Sequence, residues 1–155
     1  MCIRDRFEYA LNCDFLIASE NARFADTHAR VGVMPGWGLT PLLTDAVGRT
    51  RARQISLTGD FVTAAQAFDW GLVNEVVDHG DLLPRVRELA SAIVDNDPVG
   101  VAQMLATYAS QEAASLTEMW QLESQGAHEF SQTATPGAEI EARRDAVMER
   151  GRRQL

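Results

Sequence analysis

Phe24-Ala25-Asp26-Thr27-His28-Ala29-Arg30-Val31-Gly32-Val33-Met34-Pro35-Gly36-Trp37-Gly38-Leu39-Thr40 is the stretch around which this chain is organised. It opens with a strand, turns through a bend rich in glycine and proline, and leads into a helix. Pro35, Gly36 and Gly38 crowd together, so the backbone must turn sharply there. Thr40 before Pro41 predicts a helix start, with a hydroxyl N-cap and then proline at the first helical position. A strand, a glycine-rich bend and a helix N-terminus in succession offer backbone N–H groups to a ligand or a water. Bends of this kind are more often plain turns than sites, so the glycines alone decide nothing.

On the N-terminal side, residues 7–12 read as a short helix. Residues 14–19 are an apolar run of strand length, too continuous for a solvent-facing strand, and read as a buried one. Residues 20–22 read as a turn and residues 23–26 as a second strand. On the C-terminal side, a helix over residues 41–47 is closed by Gly48. Residues 50–58 form another, with Ala52, Ile55 and Ser56 inward and Gly59 as its stop. Thr63 and Gln66 have the spacing of a capping box, opening a helix that ends at Gly71. Residues 72–77 read as a strand, and Asp81 as the cap of a helix reaching Asp95.

Beyond this the pattern is helical. Asp97-Pro98 starts one helix, with Val101, Met104, Leu105 and Tyr108 at helical spacing. Ser115 and Glu118 frame a second capping box before Met119, Trp120, Leu122 and Phe130. Thr135-Pro136 opens a last helix ending in Arg143, Arg144, Arg150, Arg152 and Arg153. Such methionine and aromatic stripes read as core or subunit contact rather than a cofactor box, because a helix with one apolar stripe must bury it.

The 155 residues suffice for one domain with a real core. The net charge of −8 argues against nucleic acid as a partner. All 14 basic residues are arginines, so Schiff-base chemistry is excluded for these residues and anion binding falls to arginine or backbone N–H groups. Cys2 and Cys13 lack metal-ligand spacing, and Cys13, between apolar neighbours, reads as a buried thiol. No metal site is expected. No apolar run is long enough to span a bilayer, and no apolar segment of signal-peptide type follows residues 1–6. A cytoplasmic protein is the expectation. Residues 1–6, with two arginines and an aspartate running into an apolar segment without a turn, read as a foreign or truncated start.

Two side chains stand out for chemistry. Glu8 sits between Phe7 and Tyr9 on an apolar helix, where a desolvated carboxyl suits proton transfer near neutral pH; a water-facing glutamate at a helix start is the equal alternative. His28 can position a water or move a proton at pH 7, or simply line a polar pocket. Asp26, two residues earlier, shares a face with His28 if the segment is extended. Trp37 reads as core packing or as one wall of a pocket.

Taken in order, the stretch above, Phe7-Glu8-Tyr9-Ala10-Leu11-Asn12-Cys13-Asp14-Phe15-Leu16-Ile17-Ala18-Ser19, Leu57-Thr58-Gly59-Asp60 and Gly71-Leu72-Val73-Asn74-Glu75-Val76-Val77 resemble the C-terminal half of the enoyl-CoA hydratase/isomerase (crotonase) family. The resemblance implies an α/β ClpP/crotonase-like fold in which short strands and helices precede a helical C-terminal region. Residues 7–80 would be the partial core. Residues 81–155 would be helices that pack around a trimer axis, giving a homotrimer or a dimer of trimers. Glu8 matches the family's first catalytic glutamate. His28 stands where hydratases of the family usually carry a second one. Gly36 matches the glycine whose N–H helps hold the attacking water, and Trp37 and Leu39 replace small residues beside it, which implies a differently shaped acyl pocket.

The implied reaction is addition of water to a 2-enoyl-CoA to give a 3-hydroxyacyl-CoA in a longer parent, with the thioester as substrate and no cofactor. Enoyl-CoA isomerisation or other enolate chemistry is one alternative, and a non-catalytic oligomerising fragment is another. The family takes one oxyanion N–H from an upstream segment and the other from a glycine at the position held here by Asp5. Arg152 and Arg153 could meet the CoA phosphates; a solvated helix end is the plainer reading.

Overall fold

The computed structural model describes residues 3–111 together with residues 121, 125, 126, 128, 129 and 132, with side chains from Arg6 onward. The chain divides into two compact units, Met1–Ser91 and Ala92–Leu155. The readings for residues 115–118, 119, 120, 122, 130 and the arginine-rich last helix, including Arg152 and Arg153, lie outside the described residues.

In the first unit, α1 (Ile3–Leu11) leads to β1 (Ile17–Ser19) and β2 (Arg23–Phe24). Then follow α2 (His28–Val31), α3 (Leu39–Val47) and α4 (Arg49–Thr58). β3 (Val62–Thr63), α5 (Ala64–Asp69) and β4 (Glu75–Val77) complete the alternating part. A 3₁₀ turn at His79–Asp81 opens α6 (Leu82–Val94). β1 and β4 pair in parallel, with Ile17 opposite Glu75 and Ser19 opposite Val77. β2 and β3 pair antiparallel, with Arg23 opposite Thr63 and Phe24 opposite Val62.

The buried strand expected over residues 14–19 is only three residues long. Asp14 and Phe15 are exposed, because pairing with β4 begins at Ile17. Asn74 leads into that pairing: its N–H donates to the Leu16 carbonyl at 2.8 Å, and its side-chain oxygen accepts from the Leu16 N–H at 3.1 Å. Cys13, expected to be buried, is exposed in the turn after α1, where no described element covers it.

The helix start predicted at Thr40-Pro41 moves upstream. α3 begins at Leu39, with Gly38 as its N-cap at φ +90°. That left-handed conformation is open to glycine at little cost, and a Cβ there would come within 3.1 Å of Leu42 Cδ1. Thr40 and Pro41 therefore lie inside the first turn, where a missing N–H costs no helical hydrogen bond. The early start puts Leu39, Leu43 and Val47 on one buried face, four residues apart. With Phe7, Ile55 and Val73 they form the centre of the core. Each such leucine contributes about 1.5–3 kcal/mol on burial.

α5 carries the capping box its sequence predicts: the Gln66 N–H donates to the Thr63 hydroxyl at 3.2 Å, and the Thr63 N–H to Gln66 Oε1 at 3.0 Å. Replacing Thr63 with Ala is expected to cost about 1 kcal/mol of stability by urea unfolding.

In the second unit, α7 (Pro98–Gln111) starts as predicted, with Asp97 Oδ2 accepting the Gly100 N–H at 3.0 Å. Val99, Met104, Leu105 and Tyr108 on this helix are exposed.

Candidate active site

Phe7 and Phe24 set the site. Their rings pack at 5.6 Å between centroids and join α1 to β2. Each has a carboxylate close behind it in sequence, Glu8 after Phe7 and Asp26 after Phe24. That packing brings the two acidic residues to one place. Glu8, Asp26 and His28 are all buried, at 3%, 2% and 6% exposure.

The stretch after β2 is not extended. It turns at Asp26, whose Oδ1 accepts the backbone N–H of His28 at 3.0 Å, an Asx turn that starts the short helix α2. The same oxygen accepts from His28 Nδ1 at 2.6 Å. Asp26 and His28 therefore meet through a local turn rather than through strand periodicity. α2 is tied down at its other end: Arg30 donates to the Thr58 carbonyl at 3.1 Å and to Asp60 at 2.6 Å. The Arg30 stem passes over Gly59, which ends α4 at φ +65° and where any Cβ would sit 2.7 Å from Arg30 Nε.

A carboxylate only accepts, so the proton on the His28 ring sits on Nδ1. In the neutral ring Nε2 then presents its lone pair to the opposite side. There it faces Glu8 Oε2 at 3.7 Å. The other Glu8 oxygen, Oε1, accepts the backbone N–H of Trp37 at 3.1 Å. The glycine-rich bend is thus fastened to α1, and Asn12 reinforces the link. Its side-chain amide donates to the Glu8 carbonyl at 2.8 Å and to the Trp37 carbonyl at 3.0 Å.

Trp37 does not fill the core. It is 55% exposed, and its ring packs on Tyr9 at 5.4 Å, because Gly38 turns the chain before the side chain can reach inward. Gly36 is exposed in the bend, one residue before the N–H that holds Glu8.

Burial pushes the Asp26 carboxyl up, but the Ser56 hydroxyl, the His28 backbone N–H and the His28 ring together outweigh it. The net result lies below the ordinary value of 3.8. A lowered folded-state value means that ionised Asp26 stabilises the protein fully above that ordinary value, and that this contribution disappears as pH falls below it. Acidification from pH 5 to pH 3 is expected to lower the urea midpoint, and Asp26→Asn to flatten that fall.

Sequence reasoning missed Asn12. Asn12 lies one helical turn after Glu8 and so can reach back to the Glu8 carbonyl.

Two oxygens or nitrogens 3.7 Å apart do not bond to each other, yet both can reach one further oxygen about 2.8 Å from each. With Glu8 ionised and His28 neutral, both atoms are acceptors. A water has two hydrogens to give them, and its lone pairs are left free. No group of three or more metal-type side chains comes together among the described residues. No described helix is long and apolar enough to cross a membrane.

The profile of the enoyl-CoA hydratase/isomerase family matches residues 6–150. The chain is 48% identical over 91 residues to a probable peroxisomal enoyl-CoA hydratase of Arabidopsis thaliana, a match that covers 59% of this chain and 34% of that protein. Among solved structures, an enoyl-CoA hydratase of Mycobacterium avium is 48% identical with a TM-score of 0.68, over 82% of this chain and 57% of that one. One from Bacillus anthracis is 28% identical with a TM-score of 0.84, over 90% of this chain and 54% of that one. The chain thus spans about a third of that curated relative and little more than half of the solved structures. With nearly its whole length matched by one family profile, and with the α/β arrangement of those hydratases, the chain belongs to the enoyl-CoA hydratase/isomerase family.

Proposed function

We propose that this chain carries the acid–base half of a site that adds water to a 2-enoyl-CoA, giving a 3-hydroxyacyl-CoA in the complete protein. The observation that supports this reading is the pair of facing atoms, Glu8 Oε2 and His28 Nε2, each buried and each fixed from behind. Water sits between them and donates one hydrogen to each. As its oxygen attacks C3 of the unsaturated thioester, Glu8 takes one proton, and electron density moves to the thioester oxygen. Glu8 then returns that proton to C2. The second hydrogen stays on the new hydroxyl, held by His28. One water is consumed, both its added parts end on the substrate, and the enzyme returns to its starting state. No group beyond the thioester is needed.

The enolate formed on the way needs N–H donors at the thioester oxygen. On this reading one comes from a segment upstream of these residues in the complete protein, and the other from the position held here by Asp5. Gly36 and Trp37 belong to the bend that positions the water. The CoA phosphates are met by Arg152 and Arg153, the exposed Met104, Leu105 and Tyr108 of α7 serve self-association into trimers, and the protein acts in the cytoplasm.

The test is the full-length protein with crotonyl-CoA and with a 3-enoyl-CoA. Hydration of the first is expected. Isomerisation of the second without hydration would move the reading to an isomerase. Acyl-CoA binding without turnover, or none at all, would leave an oligomerising protein.

A further inference from the structure

We infer that Asp26 is a positioning residue for this reaction: its buried carboxylate holds one imidazole tautomer of His28 so that the ring's lone pair meets the Glu8 carboxyl. Asp26 lies in the turn before α2, His28 at the start of α2, and Glu8 across the gap on α1. Asp26 Oδ1 accepts both the backbone N–H of His28, at 3.0 Å, and the ring Nδ1, at 2.6 Å. Two bonds from one oxygen to one residue fix the ring's direction as well as its proton. Among the described residues, the charged groups facing the imidazole are Asp26 and Glu8.

The arrangement has a chemical reason. A second carboxylate in place of His28 would accept hydrogen bonds in either orientation. An imidazole is an acceptor only at the nitrogen that lacks a proton. With the proton on Nε2, the ring would offer a donor where the water needs an acceptor. Replacing a carboxylate by histidine at this position thus requires a partner on Nδ1, and Asp26 is that partner. Its negative charge also strengthens Nε2 as an acceptor.

The inference rests on the hydratase reading, and two measurements on the full-length protein separate the two. Selective ¹⁵N-histidine labelling reports the His28 tautomer directly, with the signal assigned by its loss in His28→Gln. A neutral ring protonated on Nδ1 is expected, and a ring protonated on Nε2 overturns the inference whatever the activity. Asp26→Asn keeps an acceptor for the His28 backbone N–H and removes the charge. It should lower kcat for hydration on the order of tenfold or more, with KM little changed. If Glu8→Gln abolishes hydration while Asp26→Asn leaves kcat as it was, the positioning role fails and the hydratase reading stands. If Glu8→Gln has no effect, the hydratase reading fails with it.

Discussion

Glu8→Gln in the full-length protein is expected to lower kcat for enoyl-CoA hydration about 10²- to 10⁴-fold while leaving KM near its starting value. The substitution is nearly isosteric. Gln Oε1 can still accept the Trp37 N–H that now reaches Glu8 at 3.1 Å, so the bend keeps its anchor. What disappears is an atom able to take a proton from water and give it back at C2. In its place an amide N–H₂ faces His28 Nε2 and competes with the water for that lone pair. The side chain is 3% exposed, so bulk solvent is poorly placed to substitute for it. A rate unchanged in Glu8→Gln would remove this residue from the chemistry.

The largest effect on stability is expected from Leu39→Ala, at about 2–5 kcal/mol in urea unfolding. Leu39 is fully buried and lies directly after Gly38, where the bend becomes α3. Truncating it leaves a cavity in the buried cluster that it shares with Phe7, Leu43 and Val73, which a close-packed core fills only in part. The change also loosens the anchor of the bend that carries Trp37. A fall in kcat is therefore expected beside the loss of stability, smaller than that of Glu8→Gln. A cost below about 1 kcal/mol would mean that α3 does not pack as described.

Local chemistry in the sequence was enough to place several elements. Thr63 with Gln66, and Asp97 before Pro98, mark helix starts because the partners are three residues apart and need no distant contact. The same holds for Gly59 as a helix stop. Periodicity was less reliable where a strand has few partners. The apolar run after Cys13 reads as one long buried strand, but β4 covers only Ile17 to Ser19 of it. At Thr40-Pro41 the local cap signal lost to packing. Starting the helix at Leu39 buries Leu39, and Gly38 supplies the positive φ that this start requires.

The candidate site divides in the same way. Glu8 and His28 are legible as residue types in an apolar setting and through the family resemblance. Their facing arrangement is not, because it depends on Phe7 packing against Phe24 and on Trp37 returning to α1. Asp26 and His28 have the i, i+2 spacing of strand neighbours, yet they meet through an Asx turn. The Trp37 side chain, large and apolar, invites a core assignment that the turn at Gly38 prevents.

The central claim is that Glu8 and His28 act on one and the same oxygen. A double-mutant cycle of Glu8→Gln and His28→Gln on kcat for crotonyl-CoA hydration tests it most directly. Groups that work as a unit are non-additive, so the double variant is expected to be no slower, within a few-fold, than the slower single variant. Losses that multiply, with the double variant falling by the product of the two single effects, would contradict it.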